Sequence, residues 1–157
     1  MNDKQIIRKA TINDVDNIFS IERKAFHKDH WSFKMIMDEL NNDKDRATWV
    51  IDNFKNIIAY CMVRYFYDEI HIINMAVDPS MQCKGYGKKL LDYFFDQLPT
   101  YSSVFLEVKH SNIPAISLYL DIGFENIGIR TNYYRDGSDA LLTVSYTHLT
   151  LPTKRIV

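Results

Sequence analysis

One stretch of this 157-residue chain has the residue types and spacing for a defined chemistry: Gln82-Cys83-Lys84-Gly85-Tyr86-Gly87. It follows a strand-like run ending at Val77 and precedes a helical pattern through Leu90, Leu91, Phe94, Phe95 and Leu98. Glycines let the backbone turn sharply and approach a ligand with no Cβ in the way. The free N–H groups of a helix start, at the positive end of its dipole, form an anion site. Lys84, Lys88 and Lys89 add positive charge around it. A phosphate or pyrophosphate is the natural guest. The loop is not a Walker A motif, because no Gly-Lys-Ser/Thr follows the required gap. It also lacks the third glycine of a dinucleotide fingerprint, since position 90 is Leu.

The flanking elements can be read from periodicity. Thr11 with Asp14 three residues on makes a near-capping box. Val15, Ile18, Phe19, Glu22 and Phe26 then follow helical spacing, with Glu22 the one charged member. Ser32 is an N-cap for a second helix carrying Phe33, Ile36, Met37 and Leu40. Three strand-like runs follow, Thr48–Ile51, Ile57–Tyr67 and Ile70–Val77, with turns at Asp52-Asn53 and Asp68-Glu69. Pro99 cannot continue the helix after the glycine loop. A strand at Val104–Val108, a short helix at Pro114–Leu120 stopped by Gly123, and strands at Asn126–Tyr134 and Ala140–Thr143 complete the order. That order predicts an α/β fold built on one mixed sheet.

Composition narrows the class. Apolar residues make up 46% and charged residues 25%, ordinary globular values that argue against disorder, collagen and coiled coil. No run reaches the roughly 20 apolar residues of a membrane span, and the N-terminus leads into no signal-like stretch, so the expectation is a cytoplasmic protein without membrane contact. With 19 basic against 20 acidic residues there is no basic excess to suggest a nucleic-acid partner. Cys61 and Cys83 are too few for a disulfide framework and lack metal-ligand spacing, so no metal is expected, and Cys61 reads as a small buried hydrophobe.

The pattern Gln-x-x-Gly-x-Gly after Asn74-Met75-Ala76-Val77-Asp78-Pro79 resembles the acyl-CoA pyrophosphate loop of the GCN5-related N-acetyltransferases. Leu106-Glu107-Val108-Lys109-His110-Ser111-Asn112, Ala115-Ile116-Ser117-Leu118-Tyr119 and Gly123-Phe124 match the family's second half in order and spacing. Ile129-Arg130-Thr131-Asn132-Tyr133-Tyr134, then Asp139-Ala140-Leu141-Leu142, resemble the ending of its ribosomal-protein-alanine N-acetyltransferases, and Trp31-Ser32 stands where that group carries Pro-Trp-Ser. The resemblance covers residues 5–143. Departures are His30 in place of that proline, Cys83 and Lys84 where the group often has Arg and Gln or Lys, and Thr143 in place of Met.

The resemblance implies a mostly antiparallel sheet with a central parallel pair flanked by helices, and acetyl-CoA as co-substrate. It implies that the backbone of Met75, Ala76 and Val77 pairs with the pantetheine arm along an open strand edge. Gln82, Cys83, Lys84, Gly85, Tyr86, Gly87 and Lys88 would hold the pyrophosphate, and Asn112 would contact the cofactor beyond the next strand. Glu107 would be the general base and Tyr119 the general acid. Glu69 and His71 are rival bases. Trp31, Tyr133 and Tyr134 are candidates for a peptide-binding cleft, set against ordinary packing.

The implied roles make chemical sense. Partial burial behind Leu106 could raise the pKa of Glu107 toward that of a useful base. A phenol titrating near about 10 can protonate a thiolate whose thiol titrates near about 8.5. An α-amine, with a reference pKa of about 7.7–8.0, is roughly a tenth neutral at pH 7, whereas lysine is almost wholly charged. A protein N-terminus, such as a ribosomal protein's alanine, is thus a comfortable acceptor. A small-molecule amine or a lysine is the alternative, and a non-catalytic acyl-CoA-binding module is a third reading, disfavoured by the presence of Glu107 and Tyr119.

Residues 144–153, Val-Ser-Tyr-Thr-His-Leu-Thr-Leu-Pro-Thr, resemble the translation of a transposase-type sequencing adaptor. The expectation is one native domain over residues 1–143 and a foreign tail over 144–157, with the native C-terminus replaced. The other reading is a genuine strand, since Thr, Val and Tyr all favour strands.

Overall fold

The computed structural model describes residues 4–99 and 102–146. Its elements are β1 (Ile6–Lys9), α1 (Val15–Phe26), α2 (Phe33–Asn41), β2 (Arg46–Asp52), β3 (Ile57–Phe66), β4 (Glu69–Val77), α3 (Tyr86–Asp96), β5 (Ser103–Lys109), α4 (Ile113–Ile122), β6 (Glu125–Arg130) and β7 (Ala140–Tyr146). They form a seven-stranded sheet in the order β1-β2-β3-β4-β5-β7-β6. Every pairing is antiparallel except β4 with β5. This is the mixed α/β sheet that the order of elements predicts, with the central parallel pair that the resemblance implies.

The central strands bury both faces. On β3, Ala59, Cys61 and Val63 join a core with Leu90, Leu91 and Phe94 of α3. Tyr60 and Met62 alternate to the other face and meet Val15, Ile18 and Ile21 of α1 and Ile36 of α2. The helices α3 and α4 therefore lie on one face, and α1 and α2 on the other. Cys61 is fully buried, and burial pushes its thiol up to about 12, as expected of a structural cysteine. Among the described residues no helix is long and apolar enough to cross a membrane.

Local chemistry sets the element ends. Thr11 and Asp14 form the capping box, here around a 3-10 turn at Ile12–Asp14 that leads into α1. The Ser32 hydroxyl accepts from the Met35 N–H at 3.1 Å and starts α2. Gly123, at φ +114°, closes α4 in the left-handed region. The final hairpin differs from expectation: β6 stops at Arg130, and Tyr133 and Tyr134 lie in the loop beyond it. Strand β7 continues through Tyr146, pairing Val144, Ser145 and Tyr146 with Phe105, Val104 and Ser103. Those are the first three residues of the adaptor-like segment, and Val144 is fully buried. Pairing of this kind is a backbone property, open to residues of either origin. Residues 147–157 of that segment lie outside the described residues.

Edge strand β1 is tied down by charge. The Arg8 guanidinium spans Asp14 at 2.8 Å and Asp52 at 3.0 Å. The bond to Arg8 holds the Asp14 carboxyl below the usual range against the opposing effect of burial. A carboxyl depressed on folding stabilises above its unfolded pKa, and that stability is lost as pH falls through the folded value. Asp14→Asn should therefore lower stability by about 1 kcal/mol at neutral pH. Urea unfolding of the two proteins should show the difference closing below about pH 4.

Candidate active site

The glycine loop begins where β4 ends. Asp78 accepts from the Ser80 N–H at 3.0 Å and its hydroxyl at 2.8 Å, and the Gln82 side-chain amide donates to the Val77 carbonyl at 3.1 Å. The loop is thus folded back against its own strand. Cys83 at φ +63° and Gly85 at φ +87° put two left-handed residues just before α3, a backbone form suited to cradling an anion. The first bond of α3 runs from the Lys89 N–H to the Gly85 carbonyl at 3.0 Å. The N–H groups of Tyr86, Gly87 and Lys88 therefore precede the helical ladder and face its open end. Lys88 pairs with Asp92 at 2.8 Å, and Lys89 donates to Gln5 at 2.9 Å. The Tyr86 hydroxyl accepts from the same Gln5 at 2.8 Å. Of the three lysines read as loop charge, Lys84 alone stands without a bonded partner among the described residues. The site leans on backbone amides and the helix dipole more than on side-chain charge.

The two glycines have different reasons. Gly85 supplies the left-handed turn. Gly87 is buried, and a Cβ there would stand 3.0 Å from Leu118 Cδ2 of α4 and within 4 Å of Val77 and Met75. It lets α3 approach α4 and the end of β4 closely.

Strands β4 and β5 pair over Glu69–Ile72 and Ser103–Leu106, then part. A bulge on β4 lies at the parting: Val63 pairs with Ile72 and Met62 with Asn74, leaving Ile73 unmatched. Beyond it Met75, Ala76 and Val77 pair with Cys61, Tyr60 and Ala59 of β3 only, so their other edge is open. The bulge also changes which residues face which core. Ile70 and Ile72 face the α3 side before it, Met75 and Val77 after it. Asn74 is thereby turned toward α1.

Glu107 and Tyr119 stand on opposite faces beside this gap. Along β5, Val104, Leu106 and Val108 are buried in the α3/α4 core. Glu107 alternates with them onto the α1 side, where it forms an ion pair with Arg130 at 3.0 Å. Tyr119 packs into the α3/α4 core, edge-on to Phe124 at 5.7 Å. Burial, reinforced by Cys61 and Tyr134, pushes its hydroxyl well above the usual phenol value, so it stays protonated. Glu69 and His71 form a pair at 3.1 Å, with His71 stacked on Phe105. They lie at the closed end of the parallel pair: Glu69 is level with Ser103, about 13 Å of strand from Glu107.

The α1-side rim is formed by two loops. Lys109, two residues after Glu107, pairs with Asp136 at 2.6 Å and Asp29 at 3.4 Å, joining the β6–β7 loop to the α1–α2 connection. Tyr133 and Tyr134 meet edge to face at 5.0 Å as neighbours in one loop. The Tyr133 hydroxyl bonds Glu107, and this bond and then burial raise its pKa. Tyr134, half-buried, is pushed up to about 12 chiefly by burial. Trp31 lies in the α1–α2 connection, partly buried against the α1 core. Asn112 caps α4 by accepting from the Ala115 N–H at 3.3 Å. Sequence reasoning missed the Lys109 bridge and Glu22, a buried carboxylate whose position on the apolar stripe of α1 was its visible signal. Among the described residues no group of three or more His, Cys, Asp and Glu side chains is placed to hold a metal ion.

Two substitutions separate the roles of the glycines. Gly87→Val should cost about 1–3 kcal/mol by overpacking against Leu118, whereas Gly85→Ala should cost about 1–2 kcal/mol by backbone strain with no new contact. Denaturant midpoints measure both, and a Leu118→Ala background should rescue the first and not the second.

The Acetyltransferase (GNAT) family model matches residues 12–124. The [ribosomal protein bS18]-alanine N-acetyltransferase of Haemophilus ducreyi is 38% identical over 137 residues, covering 85% of this chain and 92% of the relative. A putative enzyme of the same name from Bacillus subtilis is 30% identical, covering 90% and 95%. The crystal structure of the ribosomal-protein-S18-alanine N-acetyltransferase from Escherichia coli superposes with a TM-score of 0.82 at 30% identity, over 91% and 94% of the two chains. With this sheet, this loop and these relatives, the chain belongs to the GNAT family of acetyltransferases.

Proposed function

We propose that this protein transfers the acetyl group of acetyl-CoA to the N-terminal α-amine of a protein, with the alanine of a bS18-type ribosomal protein as acceptor. The observation that carries the reading is the two-sided gap between β4 and β5, with a protonated phenol on the α3/α4 face and a carboxylate on the α1 face. Such a gap lets donor and acceptor meet from opposite sides.

The residues present fit acetyl-CoA. The open edge of Met75–Val77 offers backbone groups to an amide-bearing arm, and the loop from Gln82 to Lys88 offers left-handed residues and free N–H groups to a pyrophosphate. Asn112 stands at the start of α4 on the same face. Acetyl-CoA supplies the thioester carbonyl that the amine attacks and the thiolate that leaves. Glu107 takes the amine proton, directly or through a water. Arg130 and the Tyr133 hydroxyl hold that carboxylate in place, and an α-amine, already partly neutral at pH 7, asks less of a carboxylate base than a lysine does. Tyr119 gives its proton to the departing sulfur. Trp31, Tyr133 and Tyr134 border the acceptor's path, and the similarity to [ribosomal protein bS18]-alanine N-acetyltransferases supports an alanine-starting peptide there.

The test is release of CoA thiol with an alanine-starting ribosomal peptide, its N-terminally blocked twin, and polyamines. Release with the free peptide alone supports the reading, and release with polyamines alone replaces it with small-amine chemistry. Glu107→Gln should lower kcat by about 10²–10⁴ with acetyl-CoA affinity unchanged. Tyr119→Phe should slow the same step, and full activity in that variant would assign the acid to water.

A further inference from the structure

Glu22 sits on the inward face of α1 beside Ile18 and Ile21, and is only 1% exposed. A carboxylate so placed is costly unless donors surround it. Three do, from three parts of the chain. The Tyr60 hydroxyl of β3 and the Asn74 side-chain amide of β4 (2.6 Å) donate to Oε1, and the backbone N–H of Trp31 donates to Oε2 at 2.8 Å. One oxygen serves the sheet and the other serves the α1–α2 connection. Trp31 precedes the Ser32 cap of α2, so its N–H is outside the helical ladder. An apolar side chain at position 22 could fill the same space, but it could not hold that N–H. The sheet end of the link is equally particular: Asn74 faces α1 because of the bulge at Ile73, one residue before the open edge Met75–Val77.

We propose that Glu22 is a positioning residue for the acceptor, tethering the Trp31 end of the α1–α2 connection to β4 at the point where β4 leaves β5. The tether fixes the spacing between the acceptor rim and the strand edge that carries the donor. This deepens the function proposed above and rests on its placement of the acceptor beside Trp31.

Glu22→Gln is isosteric and isolates the tether. Its remaining oxygen stays with the two sheet donors, and its amide then faces the Trp31 N–H donor to donor. Tyr60→Phe is the comparison: it removes a sheet donor from the same buried cluster and leaves the Trp31 bond. In Glu22→Gln, amide exchange at Trp31 should accelerate about tenfold or more, and the peptide KM should rise about tenfold, with kcat and acetyl-CoA affinity within about twofold. Tyr60→Phe should show neither change, even where its thermal midpoint falls as far. Equal KM effects in the two variants, or a loss confined to kcat, would overturn the proposal by reducing Glu22 to a stabilising or a chemical role. If the wild-type protein transfers nothing to a peptide, the function fails separately. The tether then stands or falls on the exchange comparison, where equal Trp31 rates in wild type and Glu22→Gln would refute it. Should Glu22→Gln not fold, Glu22→Asp keeps the charge, withdraws it by one methylene, and is read in the same way.

Discussion

Two parallel strands that pair for four residues and then separate set the terms for everything else in this protein. Separation leaves backbone donors and acceptors without partners near the middle of a sheet, where such groups are expensive. The extra residue at Ile73 bends β4 away while its pairing with β3 continues, so only one edge is sacrificed. The open edge is then available to a ligand backbone. The same opening joins the two faces of the sheet, so that under the proposed function Glu107 and Tyr119 would serve one reacting centre although alternation and helix packing assign them to opposite sides.

The two rims are held by different physics. On one side, the link from Trp31 to Glu22 is a backbone bond to a buried carboxylate, shielded from water and salt. On the other, Lys109 reaches Asp29 and Asp136 through side chains that remain partly exposed. Pairs of that kind contribute little individually and weaken as ionic strength rises. Geometry near Trp31 is therefore set by the fold, while the β6–β7 loop is held more lightly.

Much of this could be read from the residues. The capping box at Thr11 and Asp14, the cap at Ser32, the glycine loop and the meander of β2, β3 and β4 each have a local cause, and local causes are written in adjacent residues. Strand β1 was not legible, because Ile6-Ile7-Arg8-Lys9 is too short to show alternation and is fixed by Asp14 and Asp52 from elsewhere. The bulge was not legible either, since nothing in Ile70–Val77 marks Ile73; its position is a property of the pairing with β3. Glu22 is the instructive case. It appeared as the charged exception in an apolar helical stripe, and a charge so placed requires partners, but its donors come from positions 31, 60 and 74, which only the fold brings together.

Helix α4 carries the phenol, yet none of its residues is fully buried, and Ile113 and Leu120 are 65% and 53% exposed. Its inward residues, among them Leu118 and Tyr119, pack on the core, while its outward apolar surface is left uncovered. Any ligand that packs against it in the native state alone adds RT ln(1 + [L]/Kd), about 2.7 kcal/mol at a hundredfold excess over Kd. If the acetyl donor of the proposed function is such a ligand, the resistance of this segment to proteases would rise with its concentration.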